Sequence, residues 1–277
     1  MKTNTKLRMM AESAIMLALA TVLSIFKLYE LPYGGSITIA SMLPLLIIAY
    51  RYGTGWGLVT GVVYGIIQQL LGLKNLSYFT TWQSIVAIIL LDYLVAFMVI
   101  GLGGLFRKMK SQPLGLVLGG LVICLLRYLC HVTSGATVWA GLSIPTEAAL
   151  IYSFGYNATY MLPETIILLV VAYYIGSKLD FRNSDIVPYK AEARAKLPLL
   201  QWIGGLLVAG ALVYDTVAVF SKLQNADSGE FDVTGFSAVD WKLMAIITGC
   251  AVVAAAILFV IGKKTASAKN EKIEKLD

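Results

Sequence analysis

The 277-residue chain is 58% hydrophobic and only 14% charged, and its mean hydropathy is +0.77. A soluble domain is typically about 25% charged, so the composition excludes an ordinary soluble protein and indicates an all-α integral membrane protein. The net charge of +6 does not indicate nucleic-acid binding, because the basic residues lie in short loops between apolar runs. Three cysteines, Cys124, Cys130 and Cys250, lie within apolar runs and lack metal-ligand spacing.

In chain order, the hydropathy pattern predicts eight apolar spans. They cover about 7–28, 37–50, 55–71, 82–106, 114–134, 148–176, 199–221 and 239–262. The second is too short to cross as a straight helix, since roughly 20 residues are needed. In the third, Gly57, Gly61 and Gly65 recur every four residues and predict a packing face. Residues 135–146, which include Trp139, are predicted to form a loop.

The segment 177–198 is the most polar internal stretch and predicts a module boundary. We therefore expect a six-helix membrane core at 1–180, a cytoplasmic linker at 181–198, and a two-helix transmembrane extension with a charged tail at 199–277. If the N-terminus is cytoplasmic, 17 lysines and arginines lie on the cytoplasmic side and only three lie outside. This asymmetry predicts a multi-pass cell-membrane protein with both termini in the cytoplasm.

A polar cluster interrupts the fourth and fifth spans. Arg127, His131 and Gly135 share one helix face, and Asp92 lies ten residues into the fourth span, about 15 Å deep at 1.5 Å per residue. Ionisable groups at this depth need a partner or a cavity. Two interpretations follow: an Asp92–Arg127 pair that only ties two helices together, or an Asp92 that helps to neutralise a cationic ligand while Arg127 and His131 tune the site.

The sixth span supplies aromatic and polar groups on one face. Tyr152, Tyr156, Tyr160 and Glu164 follow at intervals of four residues, and Asn157 adds an amide that both donates and accepts. Trp139 fits either an interfacial aromatic belt or a stacking position. Together these side chains suit a flat, cationic, heteroaromatic ligand. The sequence contains no ATP-binding or catalytic motif, so we expect no enzyme, cofactor or metal site.

Several short motifs occur in order: Ala14-Ile-Met-Leu-Ala18, Leu91-Asp92-Tyr93, His131-x3-Gly135-x3-Trp139 and Tyr152-x4-Asn157. In these residues the sequence resembles, over about 7–180, the thiamine-specific substrate-binding (S) subunits of energy-coupling factor transporters, the ThiT family. The resemblance implies a six-helix core that captures thiamine from outside with high affinity. It also implies that transport requires a transmembrane coupling subunit and two ATPase subunits as partners.

The resemblance also implies roles for individual residues. Ala14 and Ala18 match the motif that docks on the coupling subunit. Independently of the resemblance, Arg127 and Glu164 are expected as structural or site charges because of their position within the spans. The loop after the first span carries Gly34-Gly35 where family members can place a tryptophan, and the last two spans have no counterpart. The residues that match the thiamine pocket are Asp92, Tyr93, His131, Gly135, Trp139, Tyr152 and Asn157.

Two alternatives remain open. One is an S subunit for another vitamin or a thiamine precursor. The other is an ion-coupled secondary transporter that uses Asp92, Arg127, Glu164 and Asp215, although the chain shows no internal inverted repeat.

Overall fold

The computed structural model describes residues 5–31, 34–78, 81–141, 146–189, 199–223 and 233–274. These residues are mostly helical, and six of the described helices are long and apolar enough to cross a membrane. The predicted class, an all-α integral membrane protein, is confirmed. The chain divides into two compact units, Met1–Tyr189 and Lys190–Asp277.

The first unit begins with helix α1 (Thr5–Ile25), followed by a hairpin of strands β1 (Lys27–Glu30) and β2 (Ser36–Thr38). Helices α2 (Leu43–Tyr52) and α3 (Thr54–Leu71) come next, then a 3-10 turn at Leu73–Tyr78. Three long helical segments follow in the order α4 (Trp82–Lys108), α5 (Gln112–Gly141) and α6 (Thr146–Lys178). A two-residue hairpin of strands closes the unit, with β3 at Leu179–Asp180 and β4 at Val187–Pro188.

Helix α2 is the centre of the first unit. All of its residues from Leu43 to Arg51 are buried, and Leu46 and Tyr50 belong to a hydrophobic core shared with α3, α5 and α6. Its ten residues are too few to cross a bilayer, since about 20 are needed. The predicted second span can be this short because other helices surround it. A helix enclosed by protein does not have to match the thickness of the lipid.

The three glycines of α3 form the predicted packing face. A methyl group at Gly57 would lie 2.6 Å from the Ala49 Cβ, and one at Gly65 would lie 2.6 Å from the Tyr93 carbonyl oxygen. A methyl group at Gly61 would overlap the Phe97 carbonyl oxygen. Small residues let helix backbones approach closely in membranes, so these glycines hold α3 directly against α2 and α4.

Helix α4 changes its winding where the sequence places Asp92. It runs as an α-helix over Trp82–Ala87, widens to a π-helix over Ile88–Val95, and tightens to a 3-10 helix over Val99–Lys108. π-Helical turns are rare and often occur at functional sites. The wide turn carries both Asp92 and Tyr93, two of the residues predicted to bind ligand.

Helix α5 is longer than predicted. It continues from Gln112 to Gly141, so the expected loop beginning at Gly135 is wrong for residues 135–141. Only residues 142–145 of that expected loop lie outside the described residues. Within this continued helix Gly135 packs against α6, where an added methyl group would overlap the Ser153 hydroxyl.

The second unit contains an antiparallel pair of helices, α7 (Leu199–Lys222) and α8 (Trp241–Glu274), with a 3-10 turn at Val233–Ala238. The two helices approach closely at Gly204, where an added methyl group would lie 3.1 Å from the Ala255 Cα. Nearer the other end of α7, Thr248 donates a hydrogen bond to Asp215. Asp215 therefore has a partner on the neighbouring helix.

Candidate functional site

A cavity of about 480 Å³ opens among the helices of the first unit. This volume lies within the 300–1,000 Å³ typical of small-molecule sites. Its walls come from α1, the β1–β2 hairpin, α3, α4, α5 and α6. The lining residues include Ser24, Lys27, Glu30, Gly35, Thr38, Ser41, Tyr64, Gln68, Lys74, Asp92, Tyr93, Phe97, Arg127, His131, Gly135, Tyr156, Asn157, Tyr160 and Glu164.

Most of the residues predicted for the pocket converge on this cavity. Those that line it are Asp92, Tyr93, Arg127, His131, Gly135, Asn157 and Glu164. Tyr152 is not among the described lining residues; it is buried and stacks on Tyr156, with ring centroids 6.2 Å apart and planes 9° apart. The backbone of Trp139 lies in the last turns of α5, but its side chain lies outside the part of the chain that is described.

The central polar pair is Asp92 with His131. Asp92 Oδ1 lies 2.8 Å from His131 Nδ1, and 28% of the Asp92 side chain is exposed. The opposite ring nitrogen, Nε2, is buried without a hydrogen-bond partner in the described residues. The geometry thus leaves a partly exposed carboxylate in the cavity lining and, next to it, a buried imidazole nitrogen without a partner among the described residues.

Arg127 is not the partner of Asp92. Its guanidinium carbon lies 4.8 Å from the centroid of the Phe97 ring, and one terminal nitrogen contacts the Met42 sulfur. Among the described residues it forms no ion pair, and its Nε has no hydrogen-bond partner. The expected alternative of an Asp92–Arg127 pair is therefore wrong, because His131 lies one helical turn beyond Arg127 and takes that carboxylate.

Both the nitrogen and the oxygen of the Asn157 side-chain amide form hydrogen bonds with other protein groups. Its Nδ2 donates to the Ser153 carbonyl oxygen at 2.9 Å and to the His131 carbonyl oxygen at 3.2 Å, and its Oδ1 accepts from the Tyr160 hydroxyl at 2.6 Å. The Ser153 hydroxyl in turn donates to the Val132 carbonyl oxygen at 2.7 Å. These bonds cross between α5 and α6 and hold His131 in place. Within the part of the chain that the structure describes, Oδ1 accepts from Tyr160 alone, which leaves one of its two acceptor positions open.

A second carboxylate, that of Glu164, also lines the cavity. Glu164 is buried, and its Oε1 accepts a hydrogen bond of 2.8 Å from the Thr38 hydroxyl. Thr38 also lies 2.8 Å from the Ser41 hydroxyl. A buried carboxylate needs such donors, so β2 and the turn before α2 stabilise Glu164 in the wall.

The β1–β2 hairpin contributes to the wall from the loop that follows α1. The Gly35 amide donates to the Tyr156 hydroxyl at 3.2 Å, and a methyl group at Gly35 would lie 2.7 Å from the Tyr160 ring. The hairpin itself carries an exposed Lys27–Glu30 ion pair of 2.6 Å. Lys27 donates to Glu30 and so lowers the pKa of that carboxyl below its usual range.

The face of α1 with Ala14 and Ala18 points away from the rest of the first unit, since both residues are exposed. The opposite face is held by polar contacts. Arg51 donates to Glu12 Oε2 at 2.9 Å and to the Ser184 carbonyl oxygen at 2.9 Å. Tyr64 donates to the Ala20 carbonyl oxygen at 3.1 Å.

Several lining residues were not predicted, namely Tyr64, Gln68, Phe97, Lys27, Glu30 and Lys74. Tyr64 and Gln68 are four residues apart on the helix with the glycine face, and that spacing alone was a signal of a second functional face. The charged residues of the hairpin carry no such signal, because charged loops are ordinary.

The lining contains two kinds of group that attract cations, together with the basic residues Lys27, Lys74 and Arg127. Carboxylates of Asp92, Glu164 and Glu30 and the rings of Tyr93, Tyr156 and Tyr160 line the cavity, and cations are attracted to both kinds of group. Within the described residues no three His, Cys, Asp or Glu side chains converge as a metal site.

Two comparisons with known proteins show what the chain is similar to in sequence. The sequence profile of the thiamine transporter protein family (Thia_YuaJ) matches residues 10–182. The chain is also 37% identical over 183 residues to the thiamine transporter ThiT of Bacillus subtilis (strain 168), which covers 62% of this chain and 91% of that relative. The matched region contains every cavity-lining residue, and the chain belongs to the thiamine transporter protein family.

Proposed function

We propose that this chain binds thiamine with high affinity and serves as the substrate-binding subunit for thiamine uptake. The observation that carries the proposal is the cavity with the Asp92–His131 pair inside the region that matches the family. Thiamine joins a cationic thiazolium to an aminopyrimidine. Asp92 supplies counter-charge for the thiazolium, and the neighbouring tyrosine rings supply stacking and cation–π contacts.

The remaining predicted residues have supporting roles in this proposal. The unpartnered Nε2 of His131 and the free acceptor position of Asn157 suit the polar edge of the aminopyrimidine. Tyr93 lines the cavity beside Asp92. For Trp139 and Tyr152 the proposal rests on the resemblance, with Trp139 as a stacking residue. Gly135 lets α5 and α6 approach so that these groups converge.

Transport is proposed to require partners. The chain has no sequence motif for ATP binding, so we infer that a transmembrane coupling subunit and two ATPase subunits of an energy-coupling factor module drive release. The exposed face of α1 with Ala14 and Ala18 supports docking of the coupling subunit there, since small residues permit close helix contact. The chain itself catalyses no reaction.

Orientation follows from charge. The 17-to-3 distribution of lysines and arginines supports cytoplasmic N- and C-termini. The hairpin and the cavity mouth then face outside, where thiamine is captured. We also propose that residues 1–180 form the binding core, 181–198 a cytoplasmic linker, and 199–277 a separate two-helix membrane extension.

A ligand panel tests the proposal. Purified protein is titrated with thiamine, its isolated pyrimidine and thiazole fragments, and other water-soluble vitamins, and tryptophan fluorescence is recorded. Thiamine is expected to bind at least about a hundredfold more tightly than any other compound. Preference for another vitamin would contradict the substrate assignment, and uptake driven by membrane potential in vesicles containing this chain alone would contradict the need for a coupling module.

A further inference from the structure

Helix α3 lies between the cavity wall of α4 and helix α1. Gly65 brings its backbone against α4, where an added methyl group would lie 2.6 Å from the Tyr93 carbonyl oxygen. Two other residues of α3 reach α1: Tyr64 donates to the Ala20 carbonyl oxygen at 3.1 Å, and Gln68 Nε2 donates to the Ser24 hydroxyl at 2.9 Å. Tyr64, Gln68 and Ser24 also line the cavity.

A row of contacts runs from the cavity wall to α1. The Arg127 guanidinium lies over the Phe97 ring at 4.8 Å, and the Phe97 ring meets the Tyr64 ring edge-on, with centroids 5.0 Å apart and planes 85° apart. Tyr64 then bonds to Ala20. All three side chains line the cavity, and Tyr64 and Ala20 are almost fully buried. A ligand that touches Arg127 or Phe97 is therefore linked to α1 through one or two side chains, in addition to any direct contact with Ser24 at the end of α1.

Helix α1 is anchored at two places of different character. At one end, Arg51 and Tyr52 hold Glu12 at 2.9 Å and 2.6 Å, and none of these three is among the residues that line the cavity. At the hairpin end, the anchors are Tyr64 and Gln68, which do line it. Ala14 and Ala18 lie between the two anchors. Occupancy of the cavity thus acts on only one of the two anchors.

We propose that Tyr64, assisted by Gln68, is a positioning residue that couples occupancy of the cavity to the orientation of the α1 face with Ala14 and Ala18. This inference rests on the proposed function, because it takes thiamine as the ligand and that face as the docking surface. Thiamine packed against Phe97 and Arg127 restricts Tyr64, and the hydrogen bond to Ala20 passes that restriction to α1. Such coupling is a free-energy link between two sites, and a row of packed and hydrogen-bonded side chains can carry it.

A spin label at position 18 tests the coupling in the full-length protein. Cys130 and Cys250 are replaced by alanine, Ala18→Cys is labelled, and the protein is reconstituted in lipid nanodiscs. The ratio of mobile to immobile label is measured without thiamine and with thiamine at about 100 times the Kd of each variant. In the parent we expect thiamine to lower the ratio. Because Tyr64→Phe removes the hydrogen bond to the Ala20 carbonyl oxygen, it is expected to reduce the thiamine-dependent change about two- to tenfold.

Two further variants complete the test. Tyr128→Phe is the matched control, because its hydroxyl also donates to a helix carbonyl, that of Phe154 at 2.8 Å, but Tyr128 is not among the described lining residues; it should keep the parent response. Gln68→Met removes the second link and should reduce the response in the same direction, so the proposal is tested even if Tyr64→Phe does not fold.

The outcomes separate the two proposals. A parent protein that does not bind thiamine overturns the proposed function and this inference together. If the parent binds thiamine but the label does not respond, or if Tyr64→Phe and Gln68→Met respond like the parent, only this inference is overturned. If Tyr64→Phe changes the label mobility by the same amount with and without thiamine, Tyr64 has a merely structural role. That result would also overturn this inference.

Discussion

Removing the negative charge of Asp92 should weaken thiamine binding about thirtyfold. Asp92→Asn keeps the size of the side chain and an oxygen that accepts from His131 Nδ1, now 2.8 Å from the carboxylate, and removes only the negative charge. Two unit charges about 4 Å apart interact by about 4 kcal/mol at an effective dielectric constant of about 20. Since 28% of the Asp92 side chain is exposed, we halve this value to about 2 kcal/mol, which is about thirtyfold in Kd.

Isothermal titration calorimetry of purified Asp92→Asn with thiamine measures this loss. The isolated, neutral aminopyrimidine fragment is the ligand control, and its Kd should change less than about threefold. Asp180→Asn, a carboxylate that is not among the cavity-lining residues, is the protein control. An Asp92→Asn variant that binds thiamine as tightly as the parent would refute the electrostatic role, and equal losses for thiamine and the neutral fragment would show a structural defect instead.

Three other variants test the framework around the site. Gly135→Ala should lower stability by about 1–3 kcal/mol through overpacking and weaken thiamine binding about tenfold. Adding Ser153→Ala should restore part of both losses, because the Ser153 hydroxyl is the overlapping group. A double variant that is no more stable and binds no more tightly than the single variant would contradict this. Arg51→Met should lower the free energy of unfolding by about 2 kcal/mol, which is less than the loss for a typical broken buried pair, because Glu12 keeps two other partners. The thermal unfolding midpoint should then fall by about 4–8 °C. Substitution of the exposed Lys108 by methionine should not lower it. A chain ending at residue 189 should bind thiamine within about threefold of full length, and loss of binding would show that the second unit contributes to the site.

Much of the helical layout could be predicted from hydropathy alone. Lipid requires long apolar helices, so α1, α4, α6 and α8 stand close to the expected positions. The glycine face of α3 was also predictable, because three glycines four residues apart have few other uses in an apolar helix. The short length of α2 was the only indication in the sequence that this helix is buried.

The details of the site were less predictable. Asp92, His131 and Asn157 were expected to converge because polar residues at membrane depth must meet partners, but nothing in the sequence decides between His131 and Arg127 as the partner of Asp92. In the structure Asp92 lies within the π-helical turn over Ile88–Val95, whose winding differs from that of an α-helix. The residue spacing of a regular α-helix presupposes regular winding, so that spacing could not reveal the π-helical turn in α4.

The role of Asn157 illustrates the same limit. Its amide was predicted to read a ligand, yet most of its hydrogen-bonding capacity goes to Ser153, His131 and Tyr160. Sequence shows which polar groups lie on a helix face; it does not show which of them satisfy each other.

The most direct test of the account is the identity of the molecule that the protein retains. Full-length protein is purified from cells grown with thiamine, denatured, and the released small molecules are identified and quantified by mass spectrometry. The account predicts thiamine at close to one equivalent per chain, and a lower recovery of thiamine from the Asp92→Asn variant. Recovery of a different vitamin at that stoichiometry, or of no ligand from a protein that remains folded, would contradict it.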